Sequence, residues 1–147
     1  NFWATLKDIQ TLDAIFSGAF RKIVQNNREL HRQHIDQLAS QVVRQIEQSY
    51  ADSDLSPTRI ADSLGMSSAY LGRIFRESTQ TSISQYLNQT RIRRAEELLR
   101  ETEQPVETVA GLVGFSNPKY FYVVFKNITG QTPLQFRKAV HSASEKN

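Results

Sequence analysis

The stretch PTRIADSLGMSSAYLGRIFRESTQTSISQYL, Pro57–Leu87, can be laid over PVETVAGLVGFSNPKYFYVVFKNITGQTPLQF, Pro105–Phe136, with one extra residue in the second turn. Ile60 and Ala61 fall on Val109 and Ala110, and Leu64-Gly65-Met66 on Val113-Gly114-Phe115. After the slip, Ser67 meets Asn117, Tyr70 meets Tyr120, Phe75 meets Phe125, Arg76 meets Lys126 and Ser82 meets Thr132. Self-similarity of this kind means one structural unit used twice. Each copy spells a short helix, a turn with glycine, a second helix opened by a Ser or Asn cap, and a further helix capped by Ser82 or Thr132. Two helices joined by a tight glycine turn form a helix-turn-helix, whose second helix commonly enters the DNA major groove.

Between the copies, ISQYLNQTRIRRAEELLRE, Ile83–Glu101, contains neither Gly nor Pro and reads as one continuous helix. At about 1.5 Å per residue it spans roughly 28 Å, comparable with the roughly 34 Å that separates successive major-groove faces of B-DNA.

Upstream, apolar residues recur at helical spacing through Phe2, Leu6, Ile9, Leu12, Phe16, Phe20, Ile23 and Val24, and again at Ile35, Leu38, Val42, Val43 and Ile46. The polar run QNNRELHRQH, Gln25–His34, predicts a loop or solvated helical link, with a new helix from about Ile35 to Tyr50. Asp52 and Asp54 in ADSDLSP read as loop or cap residues, and Ser56-Pro57 as an N-cap with proline at the first helical position. The expected fold class is all-α: two helix-turn-helix subdomains on a long linker helix, preceded by a further helical segment. The expected organisation is a helical connector over residues 1–34, the double helix-turn-helix over 35–141, and a flexible tail over 142–147.

Composition narrows the function. The 147 residues include no Cys, which excludes disulfides, thiolate zinc sites and Cys nucleophiles. The net charge of +3 is unevenly spread: residues 56–141 hold eleven Lys and Arg against seven Asp and Glu, whereas residues 1–55 hold six against seven. His31 and His34 stand three residues apart but lack further ligands, so they read as a solvated pair and no metal or other cofactor is expected. No Gly-rich phosphate loop or Ser-His-Asp spacing is present, so the chain is not expected to be an enzyme. No apolar run approaches the roughly 20 residues that cross a bilayer. The chain begins at Asn1, which suggests a piece of a longer protein with a sensor or membrane anchor upstream.

IADSLGMSSAYLGRIFRE, RIRRAEELL and VAGLVGFSNPKYFYVVFKNITGQTPLQFRK together resemble the DNA-binding domain of the AraC/XylS family of bacterial transcription regulators, over Ile35 to about Ala139. The resemblance implies a sequence-specific regulator, usually an activator, in the cytoplasm at the nucleoid. Its partners would be double-stranded DNA and RNA polymerase. Residues 1–30 lie outside the resemblance, and their apolar stripe is expected to pack on this domain, on an upstream sensor or on a second copy, as a signalling or dimerising connector. The resemblance places recognition helices at Ser68–Ser78 and Pro118–Ile128.

Helical spacing turns Leu71, Ile74 and Phe75 inward and Ala69, Gly72, Arg73 and Arg76 outward. In the second copy Phe121, Val124 and Phe125 turn inward, and Lys119, Tyr122, Val123 and Lys126 outward. Arg73 can donate bidentately to a guanine, Lys119 can reach a base edge, and Ala69 and Val123 can touch a thymine methyl. Ser68, Arg76, Asn117, Tyr122, Lys126 and Thr132 are the expected phosphate or groove contacts, with cap roles competing at Asn117 and Thr132. Arg91, Arg93 and Arg94 read as a solvated or ion-paired face of the linker helix. Members of the family commonly carry larger side chains where this chain has Ala69, Gly72 and Val123, which implies a sparse hydrogen-bonded code and more shape readout. The rival reading is a helical protein-interaction adaptor with weak or no DNA affinity.

Overall fold

The computed structural model describes residues 2–146, and no strand occurs among the described residues. The helices are α1 (Phe2–Ser49), α2 (Pro57–Ser63), α3 (Ser68–Thr79), α4 (Ile83–Glu101), α5 (Val106–Leu112), α6 (Pro118–Thr129) and α7 (Pro133–Ser144). The all-α class and the expected bounds of the linker helix hold, and each recognition helix extends one residue past its expected end. The chain divides into two compact units, Asn1–Gln37 and Leu38–Asn147.

In the first unit the sequence reading needs correcting, because helix does not restart at Ile35. α1 runs unbroken through Gln25–His34. That run is polar but contains no breaker, its Gln, Arg, Glu and Leu are good helix formers, and Gln33 Nε2 donates to Glu29 Oε1 at 3.3 Å one turn away. Phe2, Trp3, Ile9, Leu12, Phe16, Phe20 and Ile23 on this stretch are all exposed.

The second unit has two cores. Ala39, Val42 and Ile46 of α1 pack with Ile60 and Ala61 of α2, Leu71 and Phe75 of α3, and Ile83 and Leu87 of α4. The other core joins Ile92, Ala95 and Leu99 of α4 to Val109 and Ala110 of α5, Phe121 and Phe125 of α6, and Phe136 of α7. The linker helix thus gives its first half to one core and its second half to the other, which fixes the two halves to one rod.

The repeat extends to individual hydrogen bonds. In the first turn Gly65 N donates to Asp62 O and Met66 N to Ala61 O; in the second Gly114 N donates to Gly111 O and Phe115 N to Ala110 O. Both turn glycines take positive φ, +67° and +102°, which a side chain resists. Thr79 Oγ1 donates to Phe75 O, and Thr129 Oγ1 to Phe125 O. Ser82 with Gln85, and Thr132 with Gln135, form reciprocal capping boxes, each cap stabilising its helix by about 1 kcal/mol. The recognition helices also end alike, on a left-handed residue that is Gly130 in one copy and Gln80 in the other.

Arg91 departs from the sequence expectation. It is buried, not on a solvated face. Its Nε donates to Tyr50 O at 2.8 Å, its NH2 to Asp52 O at 2.8 Å, and its guanidinium lies 5.5 Å from the Phe115 ring centre. Burial lowers its pKa, a shift opposed by the Asp52 carboxylate. Arg93 and Arg94 behave as expected, pairing with Glu47 at 2.7 and 3.6 Å, and Arg94 also with Glu97 at 3.2 Å. Asp52 is a loop residue as read: its Oδ1 accepts from Asp54 N at 2.9 Å, and Oδ2 meets Arg59 at 3.1 Å. At the C-terminus α7 continues to Ser144, so residues 142–144 of the expected tail are helical, since nothing after Pro133 breaks the helix. Asn147 lies outside the described residues.

A Cβ at Gly114 would collide with the Tyr50 carbonyl oxygen and lie 2.8 Å from Arg91 Nε, whereas one at Gly65 meets nothing within 4 Å. Urea denaturation should therefore show Gly114→Ala costing about 3 kcal/mol or more, and Gly65→Ala only the roughly 1–2 kcal/mol of a left-handed side chain. Arg91→Ala leaves the Tyr50 carbonyl without its donor, while Asp52 O keeps its bond from Leu55 N, and should cost about 2 kcal/mol in the same assay; Arg93→Ala, which loses an exposed pair, should cost less than about 1 kcal/mol.

Candidate nucleic-acid interface

The two recognition helices, α3 and α6, are built alike. Ser67 Oγ accepts from Tyr70 N at 3.2 Å and so caps α3; Asn117 Oδ1 accepts from Lys119 N at 3.0 Å and Tyr120 N at 3.4 Å and so caps α6. Each helix presents the partial positive charge of its N-terminus at this end, a setting that favours anions, although on α6 Pro118 has no N–H and the N–H groups of Lys119, Tyr120 and Phe121 are taken by Asn117. Leu71, Ile74 and Phe75 are buried on α3, and Phe121, Val124 and Phe125 on α6, as helical spacing predicts. Burial of these faces leaves the opposite faces in solvent.

On α3 the outward face carries Ser68, Ala69, Arg73 and Arg76, all exposed, with Gly72 half-buried. Together with Glu77 and Ser82 they line one concavity. Ser68 Oγ donates to Thr58 Oγ1 at 3.4 Å, and the Arg73 guanidinium lies 5.4 Å from the Tyr70 ring centre, a stacking that holds the side chain without neutralising it. Glu77 is the residue that sequence reasoning passed over here. It stands one turn beyond Arg73, so the same spacing that selected Ala69 and Arg73 could have found it.

On α6 Lys119, Val123 and Lys126 are exposed. Tyr122 is not outward as expected: it is half-buried, packed on the second core, with its ring edge-on to Phe121 at 6.2 Å between centres. Burial, with a smaller contribution from the Glu107 carboxylate, raises its hydroxyl pKa. The reason is angular: one position past Phe121, Tyr122 is only about 100° round the helix and its ring reaches the core edge. The exposed aromatic is Tyr120, whose hydroxyl accepts from Asn88 Nδ2 at 3.3 Å. Gln85, Asn88 and Gln89 of α4 line a groove with Tyr120, Val123 and Asn127 of α6. The Asn117 and Thr132 side chains are engaged as caps.

Charge separates these faces from the rest of the unit. Asp52, Glu47 and Glu97 pair with Arg59, Arg93 and Arg94. Among the described residues, no Asp or Glu pairs with Arg73, Arg76, Lys119 or Lys126. The outward faces therefore present two Arg and two Lys free to meet a polyanion, and Glu77 is the acid that shares their concavity. No group of three or more His, Asp or Glu able to hold a metal occurs among the described residues, nor does a helix long and apolar enough to cross a membrane.

A family profile described as a helix-turn-helix domain matches residues 60–139. The chain is 37% identical over 100 residues to the Msm operon regulatory protein of Streptococcus mutans, covering 68% of this chain and 36% of that protein. It is 32% identical over 117 residues to the arabinose operon regulatory protein of Escherichia coli, covering 80% and 40%. The crystal structure of the DNA-binding domain of AdpA, a global transcriptional factor, in complex with a target DNA matches with a TM-score of 0.68 at 25% identity, covering 74% of this chain and 97% of that one. The chain thus spans little more than a third of the length of these curated relatives. From the duplicated helix-turn-helix units and these matches it follows that the chain belongs to the AraC/XylS family of transcription regulators and carries that family's DNA-binding domain.

Proposed function

We propose that this domain reads a specific promoter sequence by placing α3 and α6 in adjacent major-groove segments on one side of the duplex, with α4 as the spacer. The observation that carries this reading is the set of four unpaired cations, Arg73, Arg76, Lys119 and Lys126, on the outward faces of two equivalent helices. Arg73 donates to a guanine, Lys119 reaches a base edge, and Ala69 and Val123 meet thymine methyls. Ser68, Arg76 and Lys126 hold phosphates and set the register, aided by the positive ends of the helix dipoles. Asn117 and Thr132 act as caps of α6 and α7, and Tyr122 props α6 from the core side. Because Ala69, Gly72 and Val123 offer no hydrogen bond from their side chains, much of the discrimination comes from the shape and stiffness of the duplex. The outcome is recruitment of RNA polymerase, with residues 1–34 connecting the domain to an upstream sensor and the whole acting in the cytoplasm. The exposed Tyr120, Val123 and Ile128 on α6 favour a second reading, a protein-docking module, which predicts no salt-sensitive DNA binding.

Titration of a labelled random-sequence duplex at several salt concentrations separates the two. We expect log affinity to fall steeply with log salt, Lys126→Ala to reduce the slope by about 0.9, and Arg73→Ala to cost about 1–3 kcal/mol on a selected site while relaxing preference at one base. Salt-independent or absent binding would instead favour docking. A Cβ at Gly72 meets nothing within 4 Å of protein, so Gly72→Ala should raise stability by about 1 kcal/mol. The same substitution should weaken binding to the selected site if duplex backbone occupies that space, which the same titration measures.

A further inference from the structure

Six of the nine large exposed apolar side chains of the first unit fall on a seven-residue repeat with alternating steps of four and three. Written as a heptad, Phe2, Ile9, Phe16, Ile23 and Leu30 occupy d, and Leu6, Asp13, Phe20, Asn27 and His34 occupy a, with Trp3 and Leu12 flanking the seam at e and g and Ile15 at c. Seven of these ten seam positions are apolar, and six of the seven are large side chains left exposed. A strict seven-residue period is the mark of a helix that supercoils with another helix, since a straight helix lying on a globular core follows 3.6 residues per turn and would drift off the seam.

We propose that this part of α1 pairs with a second copy of the chain as a parallel, in-register, two-stranded coiled coil. Three features choose that occupant. Asn27 sits at an a position, where a single buried Asn meets its own counterpart only in a parallel pair at matched height, and so sets register and strand number at some cost in stability. The e and g positions carry no Lys, Arg, Asp or Glu, so two identical helices meet no like-charge opposition beside the seam; Lys7, Asp8, Arg21, Lys22, Arg28 and Glu29 all fall at b or c. Area suffices as well. Phe2, Phe16 and Phe20, at roughly 150–250 Å² each, supply more than half of the roughly 800 Å² that each member of a stable complex buries. Asp13 works the other way, because in this register it faces its own copy across the seam and holds the affinity down.

Sedimentation equilibrium of the 147-residue chain without DNA tests the pairing, and the readout is independent of whether the domain binds a promoter. We expect a monomer–dimer equilibrium between about micromolar and about millimolar concentration. Phe16→Glu with Phe20→Glu should leave monomer only, with the unfolding of the 38–147 unit unchanged. Asp13→Leu should tighten the dimer by about tenfold or more. The chain has no cysteine, so Leu30→Cys introduces a single thiol at a d position, and mild oxidation should give a covalent dimer in high yield. Monomer at every concentration, a trimer mass, association indifferent to the Phe16 and Phe20 changes, or a dimer that Leu30→Cys does not cross-link would each overturn the proposal.

Discussion

One guanidinium holds the second unit in register. Arg91 projects from the middle of α4 between the two cores, and its fixed planar fork meets the Tyr50 and Asp52 carbonyls where the chain leaves α1, while its face lies on Phe115 in the turn of the second repeat. Asp52 O also accepts from Leu55 N within the α1–α2 connection, and Arg91 ties the backbone of that connection to α4. A charge taken out of water must be repaid by hydrogen bonds, and two charge-assisted bonds with an aromatic face beneath provide that. Gly114 is the other half of the same fit, because the Tyr50 carbonyl passes where a side chain would stand. Arg91 and Gly114 thus join the α1–α2 connection, the middle of α4 and the second turn in one contact remote from both outward faces.

Electrostatic economy explains why the linker helix and the recognition helices differ although both are basic. RIRR on α4 looks like a binding patch, yet Arg91 is committed to carbonyls, and Arg93 and Arg94 to Glu47. The cations of α3 and α6 have no such partners, so those two surfaces keep their positive charge although the whole chain carries only +3.

Local pattern carried most of this into the sequence. The repeat, the Ser and Thr caps, the glycine turns and the inward triads are all set by residues within one or two turns of each other, and each appears where spacing puts it. What spacing could not convey is non-local or continuous. Arg91 is indistinguishable in sequence from Arg93 and Arg94, because its partners lie some forty residues away and are backbone atoms. The run Gln25–His34 left a loop and a solvated helical link both open because it is polar, and helix continues because polarity describes a helix's surroundings, whereas Gly and Pro describe its ends, and the run has neither. Tyr122 was misplaced because a ring reaches further than its Cα angle implies, and Glu77 because attention to cations passes over the acid beside them.

The duplicated architecture has a consequence for how such a domain changes over generations. Each half keeps its own core, and the side chains at Ala69, Arg73, Lys119 and Val123 contribute to neither. Substitutions there carry almost no penalty in folding, and a change in one half leaves the other's surface untouched. If those side chains read the bases as proposed, specificity can be revised half by half, through intermediates that remain folded.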